Sequence, residues 1–270
     1  MTSVFRKTFM LLLLVAASGA FAATPATVFI EDLTWTELRD AIGAGKTTII
    51  VPIGGTEQNG SHMALGKHNA RVRALSERIA RELGNALVAP VIAYVPEGSV
   101  NPPSEHMRFP GTITVPDATF EKLLESAARS FKLHGFRDVV FLGDHGGYQK
   151  DLQAVAAALN REWSATPVRA HAVVEYYRTT GAPFVAVLQK RGFTAEEIGT
   201  HAGVADTSLA LALTPGMVRS ERLGSNAPKP LASDGVYGDP RRASAEVGQL
   251  GADAIVAATV AAIHKATTRR

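Results

Sequence analysis

TTIIVPIGGTEQNGSHMALGKHN, residues 47–69, is the stretch that decides the fold. Its first seven residues form a continuous β-branched and apolar run, the pattern of a strand buried on both faces. The run breaks at Gly54-Gly55, and Glu57, Asn59, His62 and His68 follow. A strand that ends in glycines and then presents carboxylate, amide and imidazole side chains is how an α/β protein builds a site at the edge of its sheet. Those groups suit a divalent transition metal such as Zn or Mn, which accepts both carboxylate oxygen and imidazole nitrogen. The plainer reading is a polar loop with solvated histidines.

Outward from this strand, the pattern alternates. Leu33 to Ile42 reads as a short helix opening at Thr34 or Thr36. Arg71 to Leu83 has Val72, Leu75, Ile79 and Leu83 at helical spacing and Gly84 as its stop. ALVAPVIAYV (86–95) reads as a second strand, and a long Pro/Gly-rich loop follows to Pro116. Phe120 to Leu133 reads as a helix, RDVVFLG (137–143) as a third buried strand, and Tyr148 to Trp163 as a helix. VRAHAVVEYY (168–177) reads as a fourth strand. Gly203 to Leu213 reads as a helix starting near Asp206 or Thr207, and Ala243 to His264 as a long Ala/Val-rich one. Such alternation predicts an α/β fold, a three-layer α/β/α arrangement with a mostly parallel central sheet. Its ligand crevice lies outside the carboxyl ends of the strands.

Two further loops carry chemistry. GDHGGYQKD places Asp144 and His145 directly after the third strand, with glycines that allow close backbone approach. A tight turn with a capping Asp is the alternative. GTHAGVADTS carries His201 and Asp206, and Asp206 reads equally as a helix cap and as a ligand. The 96–116 loop, with Glu105, His106 and Arg108, either packs on the surface or walls the crevice. His134 and His264, near helix C-termini, read as structural, and His171 as a core histidine with a satisfied partner.

The first 22 residues read as a removable leader: Arg6-Lys7, an apolar MLLLLVAASGAF, and Ala20-Phe21-Ala22 as the cleavage signal. Residues 23–270 then form one domain of an exported protein, periplasmic or secreted, with no stable membrane anchor after cleavage. The chain has no Cys, which excludes disulfides. Its formal charge of +3 includes those two leader cations, which leaves about +1 for the rest and no footprint for nucleic acid.

Together the motifs EQNGSHMALGKH (57–68), HMRFPGT (106–112), GDHGGY (143–148), HAGVADTS (201–208) and GVYGDPRRA (235–243) resemble the creatininase family. The family pattern runs E-Q-H-G-P-H-L-P-L-G-T-D, H-x-x-F-P-G-T, N-G-H-G-G-N, H-A-G-x-x-E-T-S and G-x-x-G-D-P-x-x-A. The resemblance implies a creatininase-like α/β fold, amide hydrolysis with one or two divalent metals, and a homo-oligomer, often a hexamer. It departs at the ligands. Asn59 stands where the family has His, His68 where the family has a bridging Asp, and Asp206 where it has Glu. A neutral imidazole offers one lone pair and cannot bridge two cations as a carboxylate does.

The expected metal residues are Glu57, Asn59, His68, His145 and Asp206. Asp144, Asp206 and His201 form the expected catalytic set, with a carboxylate taking a proton from the attacking water. His62, His106 and Tyr148 are expected to shape the pocket for a small-molecule amide. The expected function is an exported metal-dependent amidohydrolase acting on an amide or cyclic amide. The alternative is a non-catalytic exported ligand- or metal-binding protein on the same fold.

Overall fold

Four parallel strands in the order β2-β1-β3-β4 form the sheet of the computed structural model, which describes residues 27–225 and 233–268. They are β1 (Thr48–Ile53), β2 (Ala86–Val88), β3 (Asp138–Gly143) and β4 (Arg169–Ala172). The leader expected at 1–22 lies outside the described residues. β1 and β3 are buried along their whole lengths, as their unbroken apolar runs require. Alternate residues serve opposite faces: Ile49, Val51 and Ile53 pack on one side, Ile50 on the other.

Helices cover both faces. On one side α3 (Asp117–Leu133) and α4 (Gln149–Glu162) bury Phe120, Leu124, Leu152 and Leu159 against the sheet. On the other, α2 (Lys67–Leu83), α5 (Glu175–Thr180), α6 (Ala182–Lys190), α8 (Val204–Leu213) and α9 (Ala245–Thr268) bury Val72, Leu75, Tyr176, Phe184, Leu209 and Ile255. The short α1 (Trp35–Gly43) opens with a capping box on Thr34 and Glu37, and α7 (Ala195–Ile198) with one on Thr194 and Glu197. Each fully buried Ile or Leu contributes about 1.5–3 kcal/mol, so truncating Ile50 in the central strand would cost more than any surface change.

Three departures from the sequence reading lie near the sheet and the crevice. β2 ends at Val88 rather than running to Val95, and pairing continues only as an isolated bridge between Ile53 and Ile92. Pro52 accepts from Ile92 N on that side of β1 but has no N–H to give back, and Pro90 interrupts the partner. The expected fourth strand stops at Ala172, because Tyr176 turns into the core on α5 instead of continuing the ladder. Finally, α2 begins at Lys67, a full turn before Arg71, with Gly66 at its N-cap. That extra turn carries Lys67 and His68 into the crevice.

Candidate active site

The carboxyl end of β3, the start of α2, the 96–116 loop and the start of α8 converge on one cavity of about 530 Å³. Its polar wall includes Lys67, His68, Arg71, His106, His145, His201 and Asp206, and its apolar wall includes Val185, Ile198 and Leu209.

Glu57 is wholly buried behind that polar wall, against its His68, His106, His145 and His201. His68 Nε2 lies 2.7 Å from Glu57 Oε1, and His68 Nδ1 lies 2.6 Å from Asp144 Oδ2. Both ring nitrogens therefore face carboxylate oxygens, the arrangement of an imidazolium donating twice. Burial and Lys67 oppose that charge, but Glu57 and Asp144 outweigh them and raise the His68 pKa. Burial likewise opposes ionisation of Glu57, and His68 and Lys67 overcome it and hold Glu57 well below the usual carboxylate range. Lys67 Nζ stands 3.7 Å from the same Oε1 and 3.0 Å from Asp206 Oδ2.

The network continues inward. Arg71 donates from Nε to Asp144 Oδ2 at 2.8 Å and from Nη1 to Asp206 Oδ1 at 2.8 Å. The Tyr176 hydroxyl donates to Asp144 Oδ1 at 2.6 Å. Asp206 Oδ2 also accepts from Ala202 N, which anchors the entry to α8. The helix starts at Val204, so Asp206 sits in its first turn rather than at its cap.

A second carboxylate faces Glu57. Glu97, in the loop after β2, is buried, and neither of its oxygens has a hydrogen-bond partner. Glu57 Oε2 is equally without one. Burial, reinforced by the Glu57 charge, pushes the Glu97 carboxyl up to about 8. His145 stands between them, its Nε2 3.6 Å from Glu57 Oε2 and its Nδ1 3.6 Å from Glu97 Oε2. Gly55 makes room for this pair: at φ +148°, a Cβ there would lie 2.6 Å from Glu97 Oε1.

The 96–116 loop is a cavity wall. Its Thr112 hydroxyl accepts from Gln58 N, and its Ile113 N–H donates to Thr56 O. A 3-10 turn at Glu105–Arg108 delivers His106, whose Nδ1 lies 2.7 Å from Gln58 Nε2 and whose Nε2 lies 3.5 Å from Glu57 Oε2. The His201 Nε2–H donates to the Gln58 carbonyl at 2.9 Å, which leaves the Nδ1 lone pair facing Glu57 Oε1 at 3.6 Å. Burial first, then the Lys67 charge, lowers His201 to about 3; burial, then the His68 and Lys67 charges against the pull of Glu57, lowers His145 to about 4. Both rings are neutral at physiological pH and carry a lone pair.

Among the described residues, two sets of side chains could hold a cation: Glu57, Glu97 and His145, and Glu57, His106 and His201, each with its ligand atoms within 4.8 Å of one another. Glu57, His145, His106 and His201, all expected from the sequence, thus meet. Others are placed differently. His68, expected as a ligand, has both nitrogens committed to carboxylates. Asp144 and Asp206, expected as ligand or proton carriers, are held by Arg71 and Lys67. Asn59 Nδ2 donates to the carbonyls of Glu57 and Ala64 and so braces its own loop. His62 pairs with Thr207 Oγ1, and Tyr148 is buried beneath the cavity. Neither lines it.

Glu97, Lys67 and Arg71 were missed by the sequence reading. Glu97 carries no local signal beyond an acid between Pro96 and Gly98. Lys67 and Arg71 form an i,i+4 pair that would have stood out had α2 been started at Gly66.

A family profile described as "Creatininase: Creatinine amidohydrolase" matches residues 31–263. The chain is 30% identical to creatinine amidohydrolase of Pseudomonas putida over 81% of its length and 85% of the relative's. It is 28% identical to the mycofactocin precursor peptide peptidase of Mycolicibacterium smegmatis, covering 74% and 78%. Among solved structures, one named "Creatininase Mn" superposes with a TM-score of 0.72 at 26% identity, covering 88% of this chain and 98% of that one. A mutant creatininase described as "Zn-Zn type" gives the same TM-score of 0.72, identity of 26% and coverages of 88% and 98%.

Proposed function

Because the chain belongs to the creatininase family, we propose that it is an exported, divalent-metal-dependent hydrolase of an amide or cyclic-amide C–N bond. The observation that carries this reading is the group of unpartnered buried carboxylate oxygens on Glu57 and Glu97, set behind the imidazoles of a cavity wall. Buried carboxyl oxygens without a hydrogen-bond partner are costly, and a cation that they coordinate offsets that cost. The mixture of carboxylate and imidazole suits Zn or Mn, the metals named in the two similar structures.

A divalent cation bound there supplies a Lewis acid that polarises the scissile carbonyl and makes water more acidic. The chain's own residues do the rest. His201, its proton fixed on Nε2 by the Gln58 carbonyl, keeps Nδ1 free to accept the proton of the attacking water and return it to the leaving nitrogen. The amide of Gln58 selects the His106 tautomer with its proton on Nε2, aimed toward Glu57 and the cavity. Val185, Ile198 and Leu209 give the substrate an apolar wall that limits water at the reacting carbonyl.

C–N cleavage is the chemistry that the names of the amidohydrolase and the peptidase share, which supports assigning the bond and leaves a small-molecule amide as the proposed substrate class. Export to the periplasm or beyond rests on the leader-like sequence of residues 1–22. Assembly as a homo-oligomer, a hexamer on the family pattern, is part of the same proposal and is read by analytical ultracentrifugation. The function itself is tested with protein stripped by chelator and reloaded with Zn or Mn, against a panel of linear and cyclic amides. Hydrolysis that disappears on stripping and returns with metal supports it. A metal-loaded protein that turns over no amide favours the second reading, a binding protein, for which the locking of Asp144 and Asp206 by Arg71 is the motivating observation.

A further inference from the structure

The two oxygens of Glu57 are unlike. Oε1 faces His68 Nε2 at 2.7 Å and Lys67 Nζ at 3.7 Å, two nitrogens supplied by consecutive residues of α2. Oε2 has no hydrogen-bond partner, and Glu97 is the buried carboxylate among the described residues with both oxygens bare. His145 lies between those two acids, 3.6 Å from each.

A dication settles where negative charge is least compensated and lone pairs are least used. Resting on the metal-hydrolase reading above, we propose that the site holds a single divalent cation among Glu57 Oε2, Glu97 and His145, and that Lys67 and His68 exclude a second by occupying Glu57 Oε1. The alternative set of Glu57, His106 and His201 is poorer in charge. It contains one carboxylate, already engaged at Oε1, and two rings whose second nitrogens are held by Gln58. The Glu97 set brings two carboxylates, and it gives up at most the Gly147 N–H bond to His145 Nδ1. A second cation on the α2 side would stand against the charges of Lys67 and Arg71, and would find both nitrogens of His68 already taken by Glu57 and Asp144. Lys67 and His68 thus fill with side-chain nitrogens the side of Glu57 that a second metal would take. This also gives a role to Glu97, which the sequence motifs leave unassigned.

The test uses the full-length purified protein, stripped and titrated with Zn²⁺ or Mn²⁺ alone, with stoichiometry read by native mass spectrometry and elemental analysis. One ion per chain is expected, with an isolated-ion rather than spin-coupled Mn²⁺ resonance. Glu97→Gln, nearly isosteric, is expected to weaken binding at least roughly tenfold, the scale for losing one group of a metal site, with an unchanged circular dichroism spectrum. The double variant Lys67→Thr with His68→Asp, which frees Oε1 and adds a carboxylate beside it, is expected to take up two ions. Two ions in the unaltered protein overturn the exclusion, and full affinity in Glu97→Gln overturns the assigned site; neither outcome touches the metal-dependent reading. Absence of any bound ion, together with amide hydrolysis that survives chelation, overturns both.

Discussion

Arg71 Nε lies 2.8 Å from Asp144 Oδ2 with both side chains withdrawn from solvent, so a turn of α2 is tied by charge to the end of β3. Removing one member of such a pair leaves the other buried and uncompensated. Arg71→Met is expected to lower unfolding free energy by about 3–5 kcal/mol, measured by urea denaturation at neutral pH. Replacing both partners with apolar residues of similar volume should recover much of that loss, and a double-mutant cycle gives the coupling directly.

His201 is expected to carry the proton between water and leaving group. His201→Asn should reduce kcat by roughly 10²–10⁴-fold, with metal stoichiometry and melting temperature retained. Steady-state kinetics on whichever amide proves to be a substrate checks this. A variant with unaltered kcat removes His201 from the reaction.

Gly55 holds a backbone angle that L side chains rarely adopt, and its missing Cβ is the space into which Glu97 projects. Gly55→Ala is therefore expected to cost about 1–3 kcal/mol through strain and to weaken Zn²⁺ retention by displacing the Glu97 carboxylate. Urea denaturation and competitive titration against a chromogenic chelator measure the two effects on one sample.

His62 gives the pH dependence. Burial, then the charge of Lys67, lowers its pKa from 6.5 to about 4 in the folded chain. A depressed value means that the unfolded chain binds the proton first. The stability tied to neutral His62 is full above 6.5 and is lost as pH falls from there through about 4. No more than roughly 3.5 kcal/mol is at stake. His62→Gln is expected to flatten the wild-type stability profile between those pH values, and equal slopes in the two proteins would show that His62 does not contribute.

The fold was legible because β1 and β3 are covered on both faces, and burial writes itself into unbroken runs such as IIVPI and VVFLG. The loops that follow those runs were legible for the same reason, and they carry Glu57 and His145. What could not be read was pairing. His68 carries no mark in the sequence to show that Asp144, 76 residues away, takes one of its nitrogens. Glu97 lies in a Pro/Gly-rich loop whose periodicity is silent, and its importance comes only from facing Glu57 across a fold-level contact. Six residues of α5 are too few for a helical period to emerge from VVEYY, so β-branched composition prevailed in the reading and tertiary packing in the structure.

Tyr148 has a further consequence. Its hydroxyl lies within 2.5–2.9 Å of the carbonyl oxygens of Ile53 and Gly54 and accepts from the N–H groups of Asp144 and His145 at 3.1 and 3.0 Å. A single oxygen is thus the common datum from which two loops are measured, one bearing Glu57 and the other His145. The phenol fixes the backbone of both loops beneath the side chains at their tips. Residues at the rim can then be exchanged, a carboxylate for an imidazole or an imidazole for an amide, without the scaffold being re-surveyed. A fold with such an internal benchmark can change its reagents while keeping its bench, and the altered rim of this chain is what that freedom looks like in one sequence.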